Sequence, residues 1–119
     1  MNPDLGTRTK GFALGVIRLY ACLPKTTEAQ VIGRQLLRSG TSVGAHYREA
    51  KRSRSDAEFI SKIEGGLQEL EETAYWLELL EESGLAVSEQ IAALRIEADQ
   101  LIAILVTTAK HVKQRNHRQ

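Results

Sequence analysis

The sequence predicts an all-α fold, an up-down antiparallel four-helix bundle forming a single domain over residues 1–119. Three observations predict it. Apolar residues recur at three- and four-residue spacing through four stretches, the signature of helices with one buried face. Leu, Ala, Glu, Gln, Lys and Arg dominate while aromatics make up only 5%, a mixture that favours helix over strand. Short connections marked by Pro24, Ser55 and Gly84 separate the stretches, so successive helices fold back on one another.

The first helix is expected at about 7–22, with Phe12, Val16, Leu19 and Tyr20 on one face and Leu23-Pro24 ending the run. The second is expected at about 26–53. Thr26 or Thr27 can cap it, Glu28 suits the positive end of its dipole, and Val31, Ile32, Leu36, Val43, Tyr47 and Ala50 keep one helical phase. The third spans 55–83. Ser55-Asp56-Ala57-Glu58 has capping-box form, and the stripe that follows is Phe59, Ile63, Leu67, Leu70, Ala74 and Leu77. Gly84 suits a left-handed position after the last turn, with Leu85 meeting Leu80 as in a Schellman cap. The fourth spans 88–115 from a Ser88 cap, carries Ile91, Leu94, Ala98, Leu101, Leu105, Ala109 and Val112, and leads into a polar tail at 114–119.

Between Arg38 and His46 the chain reads Ser39-Gly40-Thr41-Ser42-Val43-Gly44, which raises the question of a phosphate-binding loop. Such a loop needs a strand before it and Lys-Ser or Lys-Thr after the second glycine. Here the helical phase runs straight through, and Ala45-His46 follow. Within a helix each glycine costs roughly 0.5–1 kcal/mol against alanine, and close approach of another helix is what offsets that cost. Periodicity leaves open whether the neighbour belongs to the same chain or to another subunit. Residues 59–80 also carry apolar side chains on more than one side (Phe59 and Ile60, Leu67, Leu70, Trp76 and Leu77, Leu79 and Leu80), which predicts self-association.

A net charge of +1 hides strong segregation. Residues 34–62 carry +4, residues 64–99 carry −9 and residues 100–119 carry +4. No apolar run approaches the ~20 residues that span a bilayer. The opening MNPDLGTRTK has no apolar core of signal-peptide type, and Cys22 is the only cysteine. A cytoplasmic location is therefore expected, with no internal disulfide, no thiolate metal site and no membrane partner.

Catalytic patterns are thin. His46 and Glu49 share a helix face, but a di-metal bundle uses Glu-x-x-His twice, and here the order is reversed and unrepeated, so a hydrogen-bonded, partly buried His46 is expected instead. No metal or cofactor is expected. Glu69, Glu71, Glu72, Glu78, Glu81 and Glu82 read as a solvated face or as partners for the basic segments. Arg38 and His46 are too far apart for the Arg–His pair of some helical ribonucleases, and Arg115 and His117 too close, so no catalytic residue is assigned.

The basic residues are more informative. Arg48, Lys51, Arg52 and Arg54, with Lys62 further on, occupy a helix–helix corner where long side chains can converge on phosphates. Lys110, Lys113, Arg115 and Arg118 make a second group. Plain solvated surface is the alternative for both. No aromatic platform interleaves these bases in sequence, so contact is expected with the nucleic-acid backbone rather than with bases.

The stretch from Gln35 to Leu85 resembles the bacterial four helix bundle protein family. The matching pieces are Arg38-Ser39 with Thr41-Ser42, Glu49-Ala50 followed by Arg52 and Ser55, Phe59, and Leu70, Glu72 and Thr73 leading to Trp76-Leu77. The likeness covers about residues 10–112, and His46 stands where the family pattern has Asn. The family includes proteins encoded in intervening sequences of large-subunit ribosomal RNA genes and the accessory variability-determinant proteins of diversity-generating retroelements. The resemblance implies an up-down bundle and a ring-like homopentamer. In the retroelement branch, whose members are markedly basic, it also implies binding of nucleic acid and of a reverse transcriptase.

The first reading is thus a non-enzymatic homo-oligomer that holds RNA or DNA, or an enzyme acting on it. Its candidate contacts are Arg48, Lys51, Arg52, Arg54, Lys62, Lys110, Lys113 and Arg115, with Gly40, Gly44, Phe59, Leu70 and Trp76 as packing or oligomer positions. A protein-interaction module without nucleic acid is the second reading, and a ribonuclease-like enzyme the third.

Overall fold

Local capping chemistry fixes where each helix begins. The computed structural model describes residues 4–86 and 89–117, with side chains through Arg115. Four helices follow in order, α1 Leu5–Ala21, α2 Thr27–Lys51, α3 Asp56–Glu82 and α4 Glu89–His117. Asp4 starts α1 two residues before the expected point. Its Oδ1 accepts from the Thr7 backbone N–H at 3.1 Å, and its Oδ2 from the Thr7 hydroxyl at 2.7 Å. Thr26, rather than Thr27, caps α2 by accepting from the Ala29 N–H at 3.3 Å. Ser55 Oγ accepts from the Glu58 N–H at 3.1 Å, the hydroxyl half of the expected capping box.

Two ends differ from expectation. Gly84 does take the left-handed conformation, at φ 74°, and its N–H reaches the Glu81 carbonyl at 3.2 Å. The Leu80 carbonyl, however, is taken by Ala86 at 3.3 Å, because the Leu85 N–H is bonded to Ser83 Oγ. The turn is one residue longer than a Schellman cap. At the other terminus α4 continues through His117, so residues expected as a polar tail from 114 are helical as far as they are described. The expected Ser88 cap lies outside the described residues.

The helices form an antiparallel ring 54 Å long and about 22 Å across, in which each helix packs on the next in sequence. The α4–α1 seam that closes the ring is the shallowest. Arg8 ties it with a fork to Glu97, from Nε at 3.0 Å and Nη2 at 2.6 Å, and a further bond to Gln100 at 2.9 Å. Phe12, Val16, Leu36, Val43, Ile63, Leu70, Leu77, Ile91, Leu101 and Leu105 fill one continuous core.

The glycines of α2 face α1 of the same chain. A methyl group at Gly40 would lie 2.8 and 2.9 Å from the two γ-carbons of Val16, a stiff β-branched side chain. At Gly44 the nearest atom is the Thr9 hydroxyl at 3.2 Å, so the approach there is looser. Ser39, on the other flank, faces α3. Its hydroxyl shares a 2.8 Å hydrogen bond with that of Thr73, which also bonds the Glu69 carbonyl at 2.7 Å, and both side chains are fully buried.

Much of the apolar surplus of α3 goes to neighbours within the chain, while Ile60 lines an open groove at the surface. Between α2 and α4 the helix has two sides to cover. Leu70, Leu77 and Leu80 are fully buried, while Phe59, Leu67 and Trp76 are half-buried against the core. The large apolar side chains that do face solvent are spread over all four helices: Leu14, Ile17, Val31, Tyr75, Ile96 (60% exposed) and Val106. Among the described residues no helix is long and apolar enough to cross a membrane.

Two stability predictions result. Gly40→Ala is expected to destabilise by about 1–3 kcal/mol through forced displacement of Val16. Gly44→Ala is expected to stay within about 1 kcal/mol of wild type, because the gain in helix propensity offsets the tight contact. Thermal melts of the two variants check this, and equal melting temperatures would show that the approach at Gly40 is not limiting. Thr73→Val is expected to cost about 1 kcal/mol by removing the bond to the buried Ser39 hydroxyl, which keeps only a 3.4 Å bond to the Leu36 carbonyl. Adding Ser39→Ala should recover part of that loss, a coupling that a double-mutant cycle in denaturant reads directly.

Candidate nucleic-acid interface

Antiparallel pairing brings the end of α2, the start of α3 and the end of α4 to the same end of the rod. That end carries the C-termini of α2 and α4, whose backbone carbonyls favour cations, beside the N-termini of α1 and α3. Arg48, Lys51 and Arg52 leave the last turn of α2, Arg54 lies in the connection, and Lys110, Lys113 and Arg115 line the end of α4. Lys62 is on α3, facing α2.

The eight cations then divide by partner. Lys62 lies 3.7 Å from Glu49, Lys113 bonds Glu64 at 2.8 Å, and Arg115 bonds Asp56 at 3.2 Å. These three act at least partly as surface ion pairs, each worth little in stability. Among the described residues Arg48, Lys51, Arg52, Arg54 and Lys110 have no carboxylate partner, and all five are exposed. Arg118 lies outside the described residues.

The acidic run is not what tempers this end. Glu69 and Glu72 both hold Arg38, at 3.1 Å for Glu69, and Glu81 holds Arg95. The Trp76 indole N–H donates to Glu72 at 2.9 Å. That bond, followed by the one from Arg38, holds the Glu72 carboxyl below the usual carboxylate range. Glu69 begins the run 13 residues beyond Asp56, which is ~20 Å along α3 and well past the ~8 Å screening length at physiological salt. The carboxylates that moderate the basic end are Asp4, which lies in the groove of Lys10, Arg48 and Lys51, and Glu49, Asp56 and Glu64.

Three further groups gather there that the order of residues along the chain does not advertise. Lys10 comes from α1 and joins Arg48 and Lys51 around an open groove of about 410 Å³ whose wall includes Tyr47. The Lys51 ammonium lies 5.9 Å from the centre of the Tyr47 ring, within cation–π range. Burial, then the nearby Asp4 charge, raises the Tyr47 phenol above its ordinary value. On the other side Lys51, Arg54 and Arg115 rim a groove of about 430 Å³ floored by Ala50, Phe59 and Val112. Aromatic rings therefore do lie among the cations, contrary to the expectation above: Tyr47 precedes Arg48 and lies one turn before Lys51 on α2 itself, while Phe59 comes from the first turn of α3.

The remaining candidates are structural. Gly40 and Leu70 are buried packing positions, and Gly44 floors a groove of about 520 Å³ between α1 and α2. His46 lays its ring against Gly65 and Gly66, where a methyl group at Gly65 would come within 3.1 Å of it. Its Nδ1 is buried without a hydrogen bond, 3.5 Å from Glu49 Oε1. Among the described residues no set of three His, Cys, Asp or Glu side chains is placed to hold a metal ion.

Comparison with known proteins agrees with the resemblance read from the sequence. Residues 4–107 match the family described as 23S rRNA-intervening sequence protein, leaving Lys110, Lys113 and Arg115 beyond the matched segment. The chain is similar to a crystal structure of a protein with unknown function from the S23 ribosomal protein family of Bacteroides thetaiotaomicron. That likeness has a TM-score of 0.82 at 35% identity, over 88% of this chain and 97% of the other. No curated protein matches. The chain belongs to the 23S rRNA-intervening sequence protein family.

Proposed function

We propose that the protein is a non-enzymatic homo-oligomer, a pentameric ring of bundles, whose basic end holds RNA or DNA through backbone phosphates. One observation carries this reading: Arg48, Lys51, Arg52, Arg54 and Lys110 converge on one end of the rod with no carboxylate partner among the described residues. Repetition around a ring would turn a weak contact per subunit into useful avidity. A ribonuclease reading built on Arg38 and His46 has little support, since Arg38 is engaged by two carboxylates and the His46 ring packs on Gly65 and Gly66.

Self-association rests on the family likeness, and of the exposed large apolar side chains Ile96 and Val106 on α4 are the pair chosen to test it. The second reading is a protein-interaction module with a partner such as a reverse transcriptase.

Light scattering is expected to give a mass about five times the 13.2 kDa chain at micromolar concentration. Ile96→Glu combined with Val106→Glu is expected to shift it toward the monomer, and a monomeric wild type would end the ring reading. In gel shifts, wild-type affinity should fall steeply with salt, since each neutralised phosphate releases counterions. Arg52→Ala with Arg54→Ala should weaken binding to all sequences alike and flatten the log–log salt slope by about 0.7–0.9 per lost contact. Equal binding by both proteins would assign these residues to plain surface charge. No binding by either at low salt would leave the protein-interaction module.

A further inference from the structure

Phosphate contact alone does not use the two aromatic rings at the basic end. Tyr47 lines a groove with Lys10, Arg48 and Lys51, and Phe59 floors another with Lys51, Arg54 and Arg115. Lys51 belongs to both rims, so the two grooves adjoin. At about 410 and 430 Å³ each falls in the range of sites that take one small organic group. The second combines an apolar floor with a cationic edge, and the first sets the Tyr47 ring beside three cations and the Asp4 carboxylate. A nucleotide has the complementary make-up, a flat ring attached to an anion.

We infer that the basic end takes single-stranded nucleic acid, with unstacked bases seated on Phe59 and Tyr47 while Lys51, Arg54 and Arg115 hold the adjoining phosphates. This rests on the phosphate-binding reading above and narrows it to a strand form. A duplex offers phosphates but keeps its ring faces inside the stack, so it satisfies the cations and leaves both floors empty. An acidic peptide likewise matches the charge without supplying a ring. Stacking on aromatic side chains tolerates any base, so strand form is read without sequence preference. Asp56 lies in the Phe59 groove and holds Arg115, so strand binding there exchanges a carboxylate partner for a phosphate.

The test is fluorescence anisotropy on the full chain at low salt with four labelled probes. These are an oligothymidylate of about 12 nucleotides, within the usual site size per single-strand-binding module, an abasic strand of equal length, a duplex of equal length, and polyglutamate. The expected result is at least about tenfold tighter binding of the oligothymidylate than of each other probe, about tenfold being what a stacked base provides on either ring. Phe59→Leu, which keeps the apolar packing, is expected to remove most of that preference while leaving duplex binding unchanged. Phe59→Trp is expected to keep the preference. The wild-type comparison needs no variant, so the inference stays testable even if Phe59→Leu fails to fold. Equal affinity for oligothymidylate, abasic strand and duplex overturns stacking and leaves phosphate contact standing. Polyglutamate binding as tightly as the oligothymidylate overturns it in favour of an acidic protein partner. Absence of binding to every probe overturns both readings.

Discussion

The backbone of α2 has to pass close to two neighbours at once, and the rest of the bundle is built around that constraint. Gly40 leaves room for the branched side chain of Val16 on α1, and Ser39, the residue before it, lets α3 approach until its hydroxyl meets that of Thr73. Successive helical residues point about 100° apart, so adjacent small residues serve opposite flanks of one helix. A bulky residue at either position would separate a helix pair and open the core across Leu36, Val43 and Leu70. The buried hydroxyl pair also costs free energy unless both members are satisfied, which ties the α2–α3 register to one setting.

From that register the surface chemistry follows. Arg38 meets Glu69 and Glu72, Trp76 secures Glu72 from the next turn, and at the other end of the same interface the His46 ring finds the gap left by Gly65 and Gly66. The long side chains over this seam therefore act on the outside of an interface already fixed by small residues inside it. Arg8 does comparable work at the α1–α4 seam, where apolar contact is thinnest and a bidentate guanidinium compensates.

Charge is laid out along the rod, with different consequences at its two ends. Most acids of α3 sit in its C-terminal half, and several are committed to arginines within the bundle. The cations at the opposite end collect where the C-termini of α2 and α4 favour positive charge, and five of them exceed the carboxylates within reach. A chain of nearly zero net charge thereby presents a locally positive end, and local rather than net charge governs what a polyanion meets.

Much of this protein was legible from sequence because helix periodicity, caps and glycine punctuation are local. Four apolar stripes, Thr26, Ser55 and Gly84 dictate an antiparallel bundle whatever the packing, and the motif around Arg38, Thr73 and Trp76 was enough to indicate the family. The helix ends were less secure, since Asp4 extends α1 and Ser83 diverts Leu85 from the Schellman pattern. What only the tertiary structure decided is which residues meet across helices. Whether Gly40 faces α1 or another subunit, which cations keep a carboxylate, and whether Lys10 and Phe59 join the basic end all depend on contacts between residues of different helices. Periodicity gives the direction of a side chain around its own axis, but not the rotation, register and spacing of its neighbours. Those are set by close packing of the whole bundle at once.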